Sequence, residues 1–333
     1  MSSPDTLKGD KMEFILEEET KKIPIDESTL YNLIIIGAGP AGMTAAVYCS
    51  RKKLNTLVIS KDIGGQVLLT ASIENYMGYQ YITGPELIKK FEDQVKQFPV
   101  ALLIGDQVSN LTIDGKNFKV STTYGKQFKA KTILIASGKS SRSLNVPGEK
   151  ELVGRGVSYC ATCDAPLYAE KDVAVIGGGN SALTALSDLI EYSKKIYLIH
   201  RSTLKADPIL IDKAKKSNKV SIYLGYTVKE ISGTDKVESI TIYSKEENIE
   251  KILPVGGVFI EIGLIPNSKF AKDIVKLNHL QEIEVDCECK TNIDGIFAAG
   301  DVTSVPEKQI IVAAGEGAKA ALSAYRYLIT KIK

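Results

Sequence analysis

The sequence predicts an α/β protein with two Rossmann-like dinucleotide-binding domains. Two observations carry this. A short apolar run, a glycine-rich turn, a helix-compatible stretch and a second apolar run occur in that order twice, about 140 residues apart. The composition is 44% hydrophobic and 25% charged over 333 residues, which suits a globular chain long enough for two domains.

The first unit reads LYNLIIIGAGPAGMTAAVYCSRKKLNTLVIS. Residues 33–36 predict a buried parallel strand, 43–50 a helix and 56–59 the next strand. Gly37, Gly39 and Gly42 form GxGxxG. The first glycine makes the tight turn, the second admits a pyrophosphate and the third lets helix approach strand, with free helix N–H groups facing the phosphate. The second unit, KDVAVIGGGNSALTALSDLIEYSKKIYLIHRS, repeats the pattern. Residues 173–176 and 196–199 predict strands and 182–192 a helix. Gly177, Gly179 and Ala182 take the three small-residue positions. The plain alternative for each unit is a glycine-rich turn in some other α/β protein, and the strand–turn–helix–strand setting argues against it. Two dinucleotide sites in one chain imply electron transfer between a nicotinamide and a flavin, and the glycines do not say which site takes which.

An acid that would hold a ribose hydroxyl is expected about 20 residues past the glycines. The first unit has Ser60 and Lys61 there, with Asp62 beyond; the second has His200 and Arg201. Arg201 suits a 2′-phosphate, and its alternative is a solvated surface arginine.

A net charge of +2 gives no ground for a nucleic-acid surface. No apolar run approaches the roughly 20 residues of a membrane span, and the first residues show no secretory pattern. Five cysteines in this length are no disulfide scaffold, so the cytoplasm is the expected compartment.

Two of those cysteines stand in YCATCDAP as Cys160 and Cys163. Zinc needs about four ligands; Cys287 and Cys289 have poor spacing for it, and the two histidines are His200 and His279. An inert pair is the other bland reading. A redox dithiol fits better beside a flavin, and Asp164 would handle the proton that disulfide opening requires, or cap a helix with Pro166 in its first turn. Cys49 reads as core.

These motifs, with GGQVLLTASIENY, ILIASGK, GVFIEIGLIPNS, GIFAAGDV and KQIIVAAGEGAKAA, resemble the low-molecular-weight thioredoxin reductases of bacteria and archaea and the C-terminal flavoprotein part of alkyl hydroperoxide reductase. The last part of the chain looks closer to the latter. The resemblance runs from about residue 33 to 329 and implies three-layer ββα domains, one inserted in the other. It assigns 31–145 and 266–333 to FAD, 146–265 to NAD(P)H and the dithiol, and leaves 1–30 as an N-terminal extension, read as a flexible arm or an added edge strand. The fused thioredoxin-like domains of the hydroperoxide reductase flavoprotein have no counterpart in so short a stretch, so a separate partner is expected.

For FAD the resemblance implies Gly37, Gly39, Pro40, Ala41, Gly42, Ser60, Gly64, Gly65, Gln66, Val67, Asn75, Val108, Ser137, Gly138, Gly300, Asp301, Lys308, Gln309 and Ile310. Asp301 would hold the ribityl chain, and 308–310 would lie along the ring. For NAD(P)H it implies Gly177, Gly179, Asn180, Ser181, Ala182, His200, Arg201 and Lys205. The NADPH-using members carry two arginines after the histidine and a third further on; this chain has Arg201, Ser202 and Lys205, leaving NADH open with a slight lean to NADPH. Cys163 would face the flavin, Cys160 the protein disulfide, and Asp164 the proton. No metal is expected. The expected assembly is a homodimer serving a thioredoxin- or glutaredoxin-like partner, with no nucleic-acid or membrane partner. The family's domain rotation places candidate hinges at Pro147 and Gly148 and at Gly263 and Pro266. The alternatives are an oxygen-reducing NAD(P)H oxidase, the reductase of a peroxiredoxin system, and a non-catalytic redox sensor.

Overall fold

In the computed structural model, residues 23–70 and 72–331 are described. Eight segments build the first unit's outer part: β1 (Leu30–Ala38), α1 (Pro40–Arg51), β2 (Thr56–Ile63), α2 (Gly84–Lys96), β3 (Ala101–Ile104), β4 (Val108–Asp114), β5 (Asn117–Thr122) and β6 (Gln127–Ile135). The strand order is β3-β2-β1-β6-β5-β4, parallel from β3 to β6 and antiparallel through the ribbon β4–β6. Alternation along β1 explains the layers. Leu33 and Ile35 join a core with α1, α2 and the last helix, whereas Ile34 and Ile36 join a second core with β4 and β5. The α2 terminus is set by a capping box between Thr83 and Glu86.

The chain leaves this sheet by the short strand β7 (Lys139–Ser141) and passes through β8 (Val157–Ser158) and the short helix α3 (Ala161–Asp164). The second dinucleotide unit follows as β9 (Asp172–Ile176), α4 (Asn180–Tyr192) and β10 (Lys195–His200). Then come α5 (Pro208–Lys216), β11 (Val220–Leu224), the antiparallel strands β12 (Tyr226–Ser232), β13 (Ser239–Ser244) and β14 (Ile249–Pro254), and β15 (Gly257–Ile260). A parallel sheet, β11-β10-β9-β15-β8, carries α4 on one face and the β12–β14 sheet on the other. Helix α4 buries Leu183, Leu186 and Leu189 against Val173, Val175 and Leu198. Each such side chain contributes about 1.5–3 kcal/mol, which fixes the face the helix presents.

The chain returns by β16 (Leu264–Pro266), antiparallel to β7, and re-enters the first sheet as β17 (Ile296–Ala298) beside β6. It ends in α6 (Ile310–Lys331). Helix α6 lies backbone-close on α1: a Cβ at Gly317 would stand 2.1 Å from the Ala41 carbonyl oxygen. The expected strands and helices of both units are present, all but β2 starting one to three residues earlier than the apolar pattern suggests. Of the N-terminal extension, Ile23 packs on the second core and Glu27 accepts the Gln127 N–H at 2.9 Å. Residues 1–22 lie outside the described residues. No described helix is long and apolar enough to cross a membrane.

Candidate active site

Both glycine turns have the same division of labour. Gly37 has φ 111°, and a Cβ there would meet the Ala136 oxygen at 2.3 Å; at Gly42 it would meet the Gly37 oxygen at 1.9 Å. At Gly39 the nearest atom is 4.0 Å away. In the second turn a Cβ at Gly177 would meet the Glu261 oxygen at 2.3 Å and the Ala182 Cβ at 2.7 Å, whereas at Gly179 nothing lies within 4 Å. The outer small residues are therefore closed by packing and the middle glycine stands open in each case. The N-caps of α1 and α4 are those middle glycines, and neither helix end receives a side-chain cap. Two uncapped helix N-termini, each behind a cradle that a side chain would fill, fit pyrophosphate groups.

Around the first turn, Ser60 Oγ accepts the Ala38 N–H at 3.0 Å and donates to the Asp62 oxygen at 2.6 Å. Pro40 and Ala41 form the first turn of α1, and Gly64 is buried against Ile88. Gly65 is open on all sides, and Val67 is core. The Gln66 amide donates to the Lys139 carbonyl at 2.9 Å and accepts from Ser141 Oγ at 3.1 Å, clamping β7. Asn75 Nδ2 donates to Gln309 Oε1 at 3.1 Å, joining two segments 234 residues apart, just before α6 opens at Ile310. Gly300 N–H donates to Glu316 at 2.7 Å. Asp301 is half-buried, and burial pushes its carboxyl up against the pull of Lys308 and Lys139. Val108 is buried in the second core, on the sheet face away from α1.

Ser137 and Gly138 meet the returning chain. Asn267 accepts from Ser137 Oγ at 2.7 Å through its carbonyl, and its Nδ2 donates to the Ser137 carbonyl at 2.8 Å. The two crossings thus lie side by side at β7 and β16, with Gly263 taking φ 104° there. Pro147 and Gly148 are not at the crossing. Ile231 N–H donates to the Pro147 oxygen, and a Cβ at Gly148 would meet the Ile231 oxygen at 1.7 Å, so this pair is docked on β12.

In the second unit, the His200 ring packs over Gly178, where a Cβ would meet it at 2.4 Å, and its Nε2 lies 3.2 Å from Ser202 Oγ. Burial, then Arg201 and Lys205, push the His200 pKa down. Lys205 N–H donates to the Gly178 oxygen at 2.7 Å, bringing the loop back to the glycine turn. Asn180 closes that loop by accepting the Asp207 N–H at 2.8 Å. Arg201 and Lys205 are exposed beside the open cradle.

Cys160 and Cys163 form a disulfide with Cα atoms 5.3 Å apart. Cys160 is the N-cap of α3, and the Cys163 N–H points at its Sγ over 3.3 Å. That donor would steady a thiolate once the bridge opens. Ser158 Oγ accepts the Cys160 N–H at 3.1 Å and donates to Asp164 Oδ2 at 2.7 Å. Asp164 Oδ1 is buried with no hydrogen-bond partner among the described residues. Burial raises the Asp164 carboxyl, only partly opposed by Ser158, so it holds a proton more readily than an ordinary aspartate.

Three polar residues without a role in the sequence reading support this motif. Glu261, inside GVFIEIGLIPNS, accepts from Ser181 Oγ in the first turn of α4; burial raises its carboxyl, opposed by Ser181 and by the Ala161 backbone in α3. Ser158 links the cysteine backbone to Asp164, and Glu149 accepts from Tyr159 Oη at 2.8 Å. The spacing of buried carboxylates relative to the CxxC was the one available clue, and it has no fixed period. Among the described residues no group of three or more His, Cys, Asp or Glu is placed to hold a metal.

The pyridine nucleotide-disulphide oxidoreductase family model matches residues 31–317. Thioredoxin reductase from Listeria innocua is 44% identical over 305 residues, covering 91% of this chain and 95% of the relative. One of the alkyl hydroperoxide reductase proteins of Staphylococcus aureus is 40% identical over 300 residues, and the match spans 90% of this chain but only 59% of that protein. The crystal structure of thioredoxin reductase from Streptococcus pyogenes superposes with TM-score 0.86 at 39% identity, over 90% of this chain and 99% of that one. That from Lactococcus lactis, in its FR conformation, gives 0.62 at 37% identity and the same coverage. With the family model matching most of the chain and a near full-length relative at this identity, the chain belongs to the pyridine nucleotide-disulphide oxidoreductase family.

Proposed function

We propose that this chain is a thioredoxin reductase-type flavoenzyme, which passes electrons from NAD(P)H by way of FAD to the Cys160–Cys163 disulfide and on to a thioredoxin-like protein. The observation that carries this is the disulfide itself, beside a buried, partly unpartnered Asp164 that Ser158 ties to the Cys160 backbone. FAD would be held by the Gly39 cradle and α1, with Ser60, 64–67, Asn75, Ser137, Gly138, 300–301 and 308–310 around it. It supplies the two-electron relay between nicotinamide and disulfide. NAD(P)H would occupy the Gly179 cradle. The exposed Arg201 and Lys205 beside it favour NADPH, since two cations near the ribose suit a 2′-phosphate.

The residues of the chain then divide the sulfur chemistry. An opened Cys160 thiolate is stabilised by the Cys163 N–H and attacks the partner's disulfide. Cys163 resolves the mixed disulfide. Asp164, held by Ser158, gives and takes the proton at the departing sulfur. Near-equal identity but unequal superposition on the two thioredoxin reductases supports a rotation of 146–265 about the paired strands β7 and β16, where the backbone crosses twice side by side. A homodimer in the cytoplasm is part of the proposal.

A second reading has one observation in its favour: the match to the alkyl hydroperoxide reductase protein over 90% of this chain. The partner would then be the dithiol module of a peroxiredoxin system. Anaerobic titration with NADH and, separately, NADPH, following the flavin band, tests the first half. Addition of oxidised thioredoxins and of a peroxiredoxin-linked dithiol protein tests the second. A flavin bleached by neither nucleotide, or bleached but never reoxidised by a protein disulfide, overturns the proposal.

A further inference from the structure

Where the chain leaves the first sheet at β7 stands a cluster of desolvated charges that neither cysteine chemistry nor the glycine turns require. Lys139 opens β7, and its side chain is 9% exposed; Glu282, 143 residues away, is 8% exposed and stands 2.5 Å from it. Lys308 Nζ lies 3.4 Å from the same Glu282 oxygen and donates to the carbonyls of Thr303 at 2.6 Å and Val305 at 2.5 Å. The other Glu282 oxygen accepts from Asn278 Nδ2 at 2.7 Å.

Removing charges from water costs several kcal/mol per ion, and one carboxylate offsets one cation. A second ammonium on the same carboxylate repels the first. Stability alone therefore does not account for the pair of lysines. The remaining charged groups nearby are Asp301 and Glu316, and burial pushes both carboxyls up, toward their neutral forms. Lys139 and Lys308 both act electrostatically on Asp301, yet no hydrogen bond joins either to it. Two desolvated ammoniums thus share the single Glu282 carboxylate, with burial and Lys139 pushing the Lys308 pKa down, beside Asp301 and Gln309, the stretch proposed to hold the ribityl chain and ring of FAD.

We propose that Lys139, together with Lys308, sets the reduction potential of the flavin, with Glu282 limiting their field. This rests on the reading that the first sheet binds FAD. Two-electron reduction leaves negative charge on the ring, and a fixed buried cation is little screened, so it stabilises the reduced form and raises the potential. Lys139 acts by its charge and Glu282 by the opposite charge, which makes the two removable with opposite sign.

The test is a dye-equilibrated anaerobic titration of the flavin band in FAD-loaded protein, with both active-site cysteines replaced by serine so that only the flavin takes up electrons. Lys139→Met lowers the midpoint potential, Lys139→Arg restores it, and Glu282→Gln raises it. An unshifted potential in a Lys139→Met protein that retains FAD overturns the proposal, as does a Lys139→Arg protein shifted as far as Lys139→Met, since packing and not charge would then be responsible. Should Lys139→Met lose its FAD, Glu282→Gln decides: a higher potential supports the assignment and an unchanged one overturns it. Parent protein that fails to retain FAD sinks the underlying reading, a result distinct from an FAD-loaded parent and variant with the same potential.

Discussion

Tyr159→Phe isolates the tie between the dithiol and the crossing chain. Tyr159 immediately precedes Cys160, and its hydroxyl donates to Glu149 Oε1 over 2.8 Å. Glu149 is 0% exposed. Its carboxylate also accepts the N–H groups of Leu144 at 3.0 Å and Asn145 at 2.7 Å, in the stretch that follows β7. Burial, and then Glu149, push the Tyr159 pKa up, so the hydroxyl stays a donor across the working range. One hydrogen bond to a buried charged acceptor contributes about 1.5–3 kcal/mol. At about 1.4 kcal/mol per tenfold, its loss should speed local opening of segments 143–149 and 157–164 by roughly 10–100-fold. Hydrogen exchange with mass-spectrometric readout on FAD-loaded protein measures both segments at once.

Glu149→Ala goes further, because it strands three donors, each costing about 1–3 kcal/mol when buried unpaired. Exchange in both segments should then accelerate by about 100-fold or more, up to the limit set by global unfolding. The double variant should exchange no faster than Glu149→Ala, since phenylalanine leaves one stranded donor fewer. Unchanged exchange in Tyr159→Phe, or effects that simply add in the double variant, would refute the tie.

Both cysteines should be required for protein-disulfide reduction: Cys163→Ser and Cys160→Ser each leave NAD(P)H reduction of the flavin intact and abolish thioredoxin-like reductase activity, whereas an oxygen-reducing enzyme would keep full NAD(P)H consumption in both. Gly179→Ala should fold normally, with nothing within 4 Å of the new Cβ, yet weaken nicotinamide nucleotide binding by about tenfold or more; equal affinity by calorimetry counts against the cradle. Asp164→Asn should change the pH dependence of stability. The folded state holds the Asp164 proton more tightly than the unfolded chain does, so stability is lost as pH rises from the ordinary value of 3.8 through the raised folded value. The variant lacks that loss, and its advantage in denaturant midpoint should widen across this window and vanish below it; a constant gap from pH 3 to 8, on the order of a simple packing change, contradicts the assignment.

What could be read in the sequence is what repeats at short range. Strands β1 and β9 are near-continuous apolar runs because each is covered on both faces, and Gly37, Gly42 and Gly177 mark where a side chain would collide with backbone. Helix α1 starts earlier than its apolar pattern because Pro40 sits at the first helical position. Of the two candidate hinges, Gly263 and Pro266 lie at the β7–β16 crossing and Pro147 and Gly148 do not. Pro147 and Gly148 look like a hinge by composition, but Gly148 is there because β12 leaves no room for a side chain. Gly263, at the crossing itself, has open space around it, so freedom and close packing give the same letter. Charge clusters escape altogether. Lys139 and Glu282 are separated by 143 residues, and a lone lysine or glutamate reads as surface in any window that contains only one of them. The same holds for Glu149, whose neighbours Lys150 and Glu151 are both exposed. A buried charge can be recognised only with its partner, and the partner is supplied by the fold. The charges worth testing at this site are therefore those the folded chain hides, and Glu149, Glu282 and Glu316 come from three separate stretches of the chain.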